Sequence, residues 1–279
     1  MLDKIEKIGN NSLIHHGELN NRVYLMKLDK KEANEVIREI NDLARKEKYT
    51  KIFCKVPASV APLFTASGFI SESQIPGFFD GTESVFFMSK FLSSDRLLSI
   101  ETNELNILSE LLNNQQKQKP DSENTAKKHT VKRLRREDSE RMAAIYQRTF
   151  KSYPFPVFNP EYIRNTMKSG VQYYGIEVKG KLVALASAEV NAGDKNAEMT
   201  DFATLPEYRG KKYALSILKE MEMNLKKEGI KTVYTIARLR SVGMNLTFLR
   251  RNYLFAGTLL KNTNISGEIE SMNIYYKHL

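Results

Sequence analysis

The segment that most constrains this chain is residues 197–229, AEMTDFATLPEYRGKKYALSILKEMEMNLKKEG. Residues 197–205 are mostly apolar and stop at Pro206, as a buried strand does. From Ala214 onward, Ile217, Met221 and Leu225 recur at three- and four-residue steps with Leu215 and Leu218 beside them, which predicts one buried helical stripe. Gly229 supplies the helix stop. Between strand and helix lies a short basic turn, Tyr208-Arg209-Gly210-Lys211-Lys212-Tyr213-Ala214. Backbone N–H groups at a helix N-terminus, reinforced by Arg and Lys, form a site for a phosphate or pyrophosphate. A phosphorylated cofactor is therefore expected.

The flanks extend this unit. Residues 131–134 read as a short strand, and Asp138 as the N-cap of a helix that buries Met142, Ala143, Ile145 and Tyr146. Residues 173–178 and 182–190, joined by Lys179-Gly180, read as a hairpin, and a second turn at 191–196 leads into the strand at 197. A β-rich run at 231–237, a helix around 245–251 and strands at 253–259 and 272–277 close the chain.

The turn resembles the acetyl-coenzyme A loop of the GNAT (GCN5-related N-acetyltransferase) superfamily, Arg/Gln-x-x-Gly-x-Gly/Ala after a strand ending in x-Pro-x-Tyr. Arg209 and Ala214 fit the outer positions, and Lys212 stands where the family usually has a glycine. The order of elements over residues 130–279 is also that of the superfamily. The phrases Tyr153-Pro-Phe-Pro-Val-Phe, Ala197-Glu-Met-Thr-Asp-Phe-Ala-Thr-Leu-Pro and Ser271-Met-Asn-Ile-Tyr-Tyr-Lys are similar to those of bacterial and archaeal β-lysine N-acetyltransferases, whose product is a compatible solute. The resemblance implies an α/β fold, a GNAT-type mixed, mostly antiparallel sheet flanked by helices, and acetyl-CoA as cosubstrate. It implies direct transfer to the terminal amine of a small diamino acid such as β-lysine. Phe202, Thr204, Arg209, Gly210, Lys211, Lys212, Tyr213, Ala214 and Asn245 would hold coenzyme A. Another acceptor (a polyamine, a peptide or a protein N-terminus) is the nearest alternative. A non-catalytic coenzyme A or nucleic-acid binding module, with a loop decayed at Lys212, is the rival from another class.

Acetyl transfer to a primary amine must first remove a proton, at a cost of about 4–5 kcal/mol at pH 7 for an ammonium of pKa near 10.4. A carboxylate or an ordered water has to accept it. Glu198 and Asp201 lie on the strand leading into the loop; Glu198 matches the position where the family often has its base, and Asp201 is the alternative and a partner for the substrate amine. Three residues apart on a strand, they face opposite sides unless the strand bulges. Many family members protonate the departing thiolate with a tyrosine; here the aligned residue is Phe248, leaving water or Tyr253. Tyr153, Phe155 and Phe158, in a stretch with three prolines, are expected to wall the acceptor pocket or, equally, to plug the core under a turn.

The first half of the chain reads as a smaller α/β domain resembling half a GNAT fold. A helix over 32–46, a strand at 51–56, Gly68 and a strand at 84–90 echo the second half, with Phe64 four before Gly68 as Phe248 is four before Asn252. Asp29-Lys30-Lys31 has neither glycine nor arginine, so no cofactor is expected there. Residues 113–129, without a large apolar side chain, read as a flexible polar linker between a domain over 1–112 and one over 130–279. A net charge of +10 is explained by a lysine-rich surface more simply than by nucleic-acid binding, since no recognition motif accompanies the basic run at 127–136. No apolar run is long enough for a transmembrane helix, the N-terminus lacks the core of a signal peptide, and Cys54 alone fits a reducing cytoplasm. His15, His16, His129 and His278 have no metal-ligand spacing, so no metal is expected. The expected partner is a small-molecule amine, with no membrane; a homodimer is left open.

Overall fold

The computed structural model describes residues 3–115 and 129–279. The first half runs β1 (Lys4–Ile8), β2 (Ser12–Gly17), β3 (Arg22–Lys27), α1 (Ala33–Lys46), β4 (Lys51–Pro57), α2 (Ala61–Ala66), β5 (Ile70–Phe79), β6 (Glu83–Phe91), α3 (Ser94–Leu98) and α4 (Thr102–Gln115). The second half runs β7 (Val131–Arg133), α5 (Ser139–Thr149), α6 (Pro160–Lys168), β8 (Gln172–Val178), β9 (Lys181–Asn191), β10 (Asn196–Thr204), α7 (Tyr213–Lys227), β11 (Thr232–Arg238), α8 (Val242–Arg250), β12 (Leu254–Ile265) and β13 (Glu268–His278). All strands join one sheet in the order β1-β2-β3-β4-β6-β5-β12-β13-β11-β10-β9-β8-β7. Only β3–β4 and β10–β11 pair in parallel, each after a helical crossover; the other pairs are antiparallel. In both halves the last strand inserts between its two predecessors, β6 between β4 and β5 as β13 between β11 and β12.

The halves meet where β5 runs against β12 at Ser73 and Gly257. Gly257 has φ +149°, and a Cβ there would lie 2.3 Å from the Glu72 carbonyl oxygen, so the close approach requires glycine. The Glu72 carboxylate secures the seam: it accepts from Lys51 Nζ (2.8 Å), the Leu260 N–H (2.7 Å) and Ser89 Oγ. Lys51 also donates to the Leu260 carbonyl (2.7 Å). An apolar layer of Tyr24, Phe53, Phe78 and Phe87 from the first half and Tyr234, Leu259, Met272 and Ile274 from the second packs the two faces together. Separate cores lie under α1 and α2 and under α5, α7 and α8.

The elements expected in the second half agree with the structure to within a few residues, with two corrections, and α6 is an additional helix that the sequence reading did not give. Asp138 stands at the N-cap position of α5, but its side chain makes no capping bond there: its carboxylate accepts from the Arg135 N–H (2.9 Å) and pairs with Arg141 (3.1 Å), and a 3-10 turn precedes the helix. β12 runs on past residue 259 to Ile265 because a bulge between Leu259 and Thr263, with Lys261 at φ +43°, restores its pairing. In the first half, β1–β3, β5, α3 and α4 were not anticipated. Residues 113–115 form the last turn of α4 rather than a linker, and Gln115 Nε2 donates to the Leu249 and Tyr253 carbonyls. Leu108 is buried in the second half's core, so α4 packs with the unit that follows it and a boundary at residue 112 cuts a helix. Residues 116–128 of the expected linker lie outside the described residues.

Candidate active site

Strands β10 and β11 pair over only three positions, Asn196–Glu198 against Thr232–Tyr234, and then part. The cause is local. The register of β10 against β9 breaks between Thr200 and Ala203, and Asp201 sits in the left-handed region at φ +53°. The bulge turns β10 away from β11, and the wedge between them opens into a cleft of about 760 Å³. Thr200, Asp201, Phe202 and Thr204 line it from one strand, and Thr235, Ile236, Ala237 and Arg238 from the other. Separated strands leave backbone N–H and C=O groups able to bond an extended amide chain.

The same bulge brings Glu198 and Asp201 into one cleft, which a regular strand would forbid. Asp201 is held on both oxygens: Tyr153 Oη donates to Oδ1 (2.6 Å) and Ser187 Oγ to Oδ2 (2.5 Å). Burial raises its pKa, and the Ser187, Tyr153 and Thr200 hydrogen bonds restrain the rise. Glu198 lies directly opposite Glu189 on β9, a like-charge cross-strand pair. Burial is the main cause that lifts the Glu198 pKa; Lys55 and Tyr234 pull it back and Asp201 adds to it. Glu189 faces the water of the cleft yet has protein closely around it, and desolvation, then Glu198 and Asp201, push its pKa up. The result is a carboxylate pair that holds a proton at higher pH than ordinary glutamates do.

Sequence reasoning missed Glu189 and everything the first half sends here. Arg22, Tyr24, Met26, Phe53 and Lys55 all line the cleft. The Lys55 ammonium sits between the Tyr24 and Tyr234 rings (5.7 and 5.9 Å) and donates to Tyr234 Oη (3.3 Å). Burial would lower its pKa, but Tyr24, Glu198 and Glu189 outweigh that and raise it. One signal for Glu189 was available: it is the sole charge in residues 182–190, an otherwise apolar strand. The first-half residues gave none, because they reach the cleft only through the fold-back at Gly257.

At the far end of β10 a short 3-10 turn, Pro206–Tyr208, leads into the basic loop and the N-terminus of α7. Gly210 has φ +78° and Lys212 φ +60°, both left-handed; the backbone expected of a glycine is kept although position 212 carries a lysine. The first helical bond runs from the Ser216 N–H to the Lys212 carbonyl, so the amides ahead of it are not spent within the helix. No acid lies in the first turn of α7, and Arg209, Lys211 and Lys212 are exposed. Tyr208, Arg209, Gly210, Lys211, Lys212, Tyr213 and Ala214 all border the cleft. An open helix end, cations and a widened strand pair fit a pyrophosphate followed by an amide arm.

Two of the expected contacts are corrected by position. Asn245 is buried: its Nδ2 donates to the Arg238, Leu239 and Ser241 carbonyls, and its Oδ1 accepts from Asn273 and Tyr275, so its bonding capacity is spent inside the protein. Phe158 packs against the second half's core rather than lining the cleft, whereas Tyr153 and Phe155 do line it. Phe155 packs against His15 of β2, ring centroids 4.8 Å apart and tilted by 37°. Phe248 borders the cleft within a ring cluster of Phe202, Tyr253 and Tyr275, while Tyr253 is fully buried behind it. Among the described residues no group of histidines, cysteines and acids could hold a metal, and no helix is long and apolar enough to cross a membrane.

A phosphate-accepting helix end that opens into a splayed strand pair, with carboxylates gathered at the point of splay, defines a coenzyme A-dependent acyltransferase. Residues 137–244 match the Acetyltransferase (GNAT) family, and the chain belongs to that family. It is 37% identical to "Beta-lysine N(6)-acetyltransferase" of Methanococcus maripaludis over 99% of both chains. It is 30% identical to "N-acetyltransferase YodP" of Bacillus subtilis over the full length of both. A 36% match to "Beta-lysine N(6)-acetyltransferase" of Methanosarcina mazei covers 54% of this chain and 56% of that one. The protein is an N-acetyltransferase, and acetyl-CoA is its acetyl donor.

Proposed function

We propose that this acetyltransferase acts on the terminal amine of β-lysine, and that Glu198 is its base. The observation that carries the reading is the carboxylate group Glu189, Glu198 and Asp201 at the point of splay, which suits an acceptor that arrives as a cation. The two relatives named for β-lysine supply the particular acceptor.

Glu198 is the better base of the two candidates. Both Asp201 oxygens already accept hydroxyl donors, so Asp201 orients Tyr153 and adds negative charge around the incoming ammonium. Glu198, lifted by burial, takes the ammonium proton directly or through one water as the amine nitrogen bonds to the acetyl carbon and the C–S bond breaks. Holding both reactants in one cleft supplies the orientation, and no acyl-enzyme is needed. Phe248 brings no hydroxyl, so water protonates the departing thiolate. The loop residues Arg209 to Ala214 bind the pyrophosphate, Phe202 and Thr204 border the amide arm, and Tyr153 and Phe155 shape the acceptor wall. We also propose that the first half acts as a cofactor-free half-copy that closes the acceptor end, and that the enzyme works in a reducing cytoplasm, where buried Cys54 stays a thiol.

The test is to incubate purified protein and acetyl-CoA with β-lysine, lysine, polyamines and a peptide N-terminus, and to read products by mass spectrometry. Singly acetylated β-lysine at the terminal amine is expected to dominate. Turnover of the peptide with none of the small amines would overturn the acceptor assignment.

A further inference from the structure

Arg22, the first residue of β3, is a buried cation that lines the cleft. Its guanidinium lies over the Tyr24 ring (5.3 Å) and the Phe53 ring (5.7 Å). Both of its hydrogen bonds leave from Nη1, one to the Asn262 carbonyl and one to Thr263 Oγ1 (3.1 Å) on β12. Nε, on the other edge of the fork, is buried and has no partner among the described residues. No described carboxylate lies within ion-pair distance, although the chain pairs many of its other arginines. Burying a guanidinium unneutralised is costly, and removing both its charge partner and its water is rarely tolerated without an anion to meet it.

The anion has to come from the cleft. Arg22 is separated from the reacting carboxylates by a short chain of contacts: the Tyr24 ring touches both the Arg22 guanidinium and the Lys55 ammonium, and Lys55 reaches Tyr234, which faces Glu198 across the strand pair. A diamino acid carries a carboxylate at one end and the reacting ammonium at the other, several bonds away, with its second amine between them or beside the carboxylate. Coenzyme A phosphates are already matched by the loop at the other end of the cleft.

We infer that Arg22 of the first half grips the carboxylate of the acceptor, so that the half-copy selects amino acids over carboxylate-free amines. This rests on the reading that the acceptor is a diamino acid. The fork pairs through the edge carrying Nε, the geometry in which a guanidinium binds a carboxylate with two parallel bonds. Nη1 is anchored by β12, so the clamp is rigid before the substrate arrives.

The experiment compares wild type, Arg22→Gln and Arg22→Lys on β-lysine, on lysine and on 1,4-diaminopentane, which is β-lysine without its carboxylate. Arg22→Gln is expected to raise KM for β-lysine about 10- to 100-fold, the loss of a charge-assisted pair. KM for acetyl-CoA and turnover of 1,4-diaminopentane should stay near wild type, and Arg22→Lys should recover part of the loss. If Arg22→Gln unfolds, Arg22→Lys carries the test, because its charge persists but its fork does not. Equal losses on β-lysine and on the diamine would overturn the assignment, as would a wild type that uses the diamine as well as the amino acids. A wild type that ignores β-lysine but shows carboxylate-dependent, Arg22-dependent turnover of lysine would overturn the β-lysine reading alone.

Discussion

The starts of α1 and α7 occupy equivalent places in the two halves, each following the strand that pairs in parallel with the next. They differ in what fills them. Ahead of α1, Asp29 accepts from the Lys31 N–H (3.0 Å), Glu32 accepts from the Asn10 and Asn11 amides (3.1 and 3.4 Å), and Glu35 follows in the first turn. That helix end is neutralised by the chain's own acids. From Arg209 into the first turn of α7 there is no acid, and two left-handed residues turn a basic loop toward the cleft. The strands differ as well: β10 leaves β11 after Glu198, where a bulge opens the wedge. The same strand order thus carries an open, basic helix end in one half and an acid-filled one in the other, and a handful of residues in the loop and bulge make the difference.

The largest effect should come from the point of splay. Glu198→Gln is expected to lower kcat about 10²- to 10⁴-fold while leaving the acetyl-CoA Kd unchanged. A wild-type activity would sink the assignment of the base. The base works deprotonated, so activity rises with pH through its pKa. Burial raises that pKa and the Asp201 charge adds to it, which sets the rising limb above the usual carboxylate range. Asp201→Asn removes the charge that adds to that rise and should move the limb to lower pH in a kcat/KM profile.

Next comes Gly210→Val. At φ +78° a β-branched residue is strained by about 1–3 kcal/mol, so the acetyl-CoA Kd should rise about 10- to 100-fold by calorimetry. Lys211→Glu imports the first half's device, an acid at the helix start. It should weaken binding by about 1 kcal/mol, and the gap from wild type should narrow as salt is added. An unchanged Kd would mean that charge at this helix end is not what separates the halves.

Lys212→Gly should give the smallest change. A lysine at φ +60° costs about 1 kcal/mol that glycine avoids, so the variant should melt slightly higher with a Kd equal to or better than wild type. A clear loss of affinity, with circular dichroism unchanged, would show that the ammonium itself holds phosphate.

The second half was legible because its signals are local: an apolar run in residues 182–190, a helical stripe from Ala214, and a glycine-bearing basic loop between strand and helix. Glu198, Asp201 and the loop sit beside such signals, and all of them line the cleft. Asn245 and Phe158 were misread because helical spacing and aromatic content do not say which way a side chain turns. The early strands escaped notice for another reason. β1 is an edge strand exposed at all but its last residue, and β2 buries two histidines, so neither shows the apolar pattern by which a strand is recognised. Arg22 and Lys55 owe their roles to a contact between distant parts of the chain, which no window of sequence contains.

The seam at Gly257 carries a consequence for how the chain is made. The Leu260 amide that bonds Glu72 lies 188 residues beyond it. At ordinary ribosomal rates that interval is about 10 to 40 s, during which β5 waits with an unpaired edge and Tyr24, Phe53 and Phe87 await their cover. A ribosome stalled in that interval, or a stop codon there, would release a chain with a strand edge ready for another copy's strand. Faithful production of this enzyme thus depends on its last strands arriving before a neighbour does.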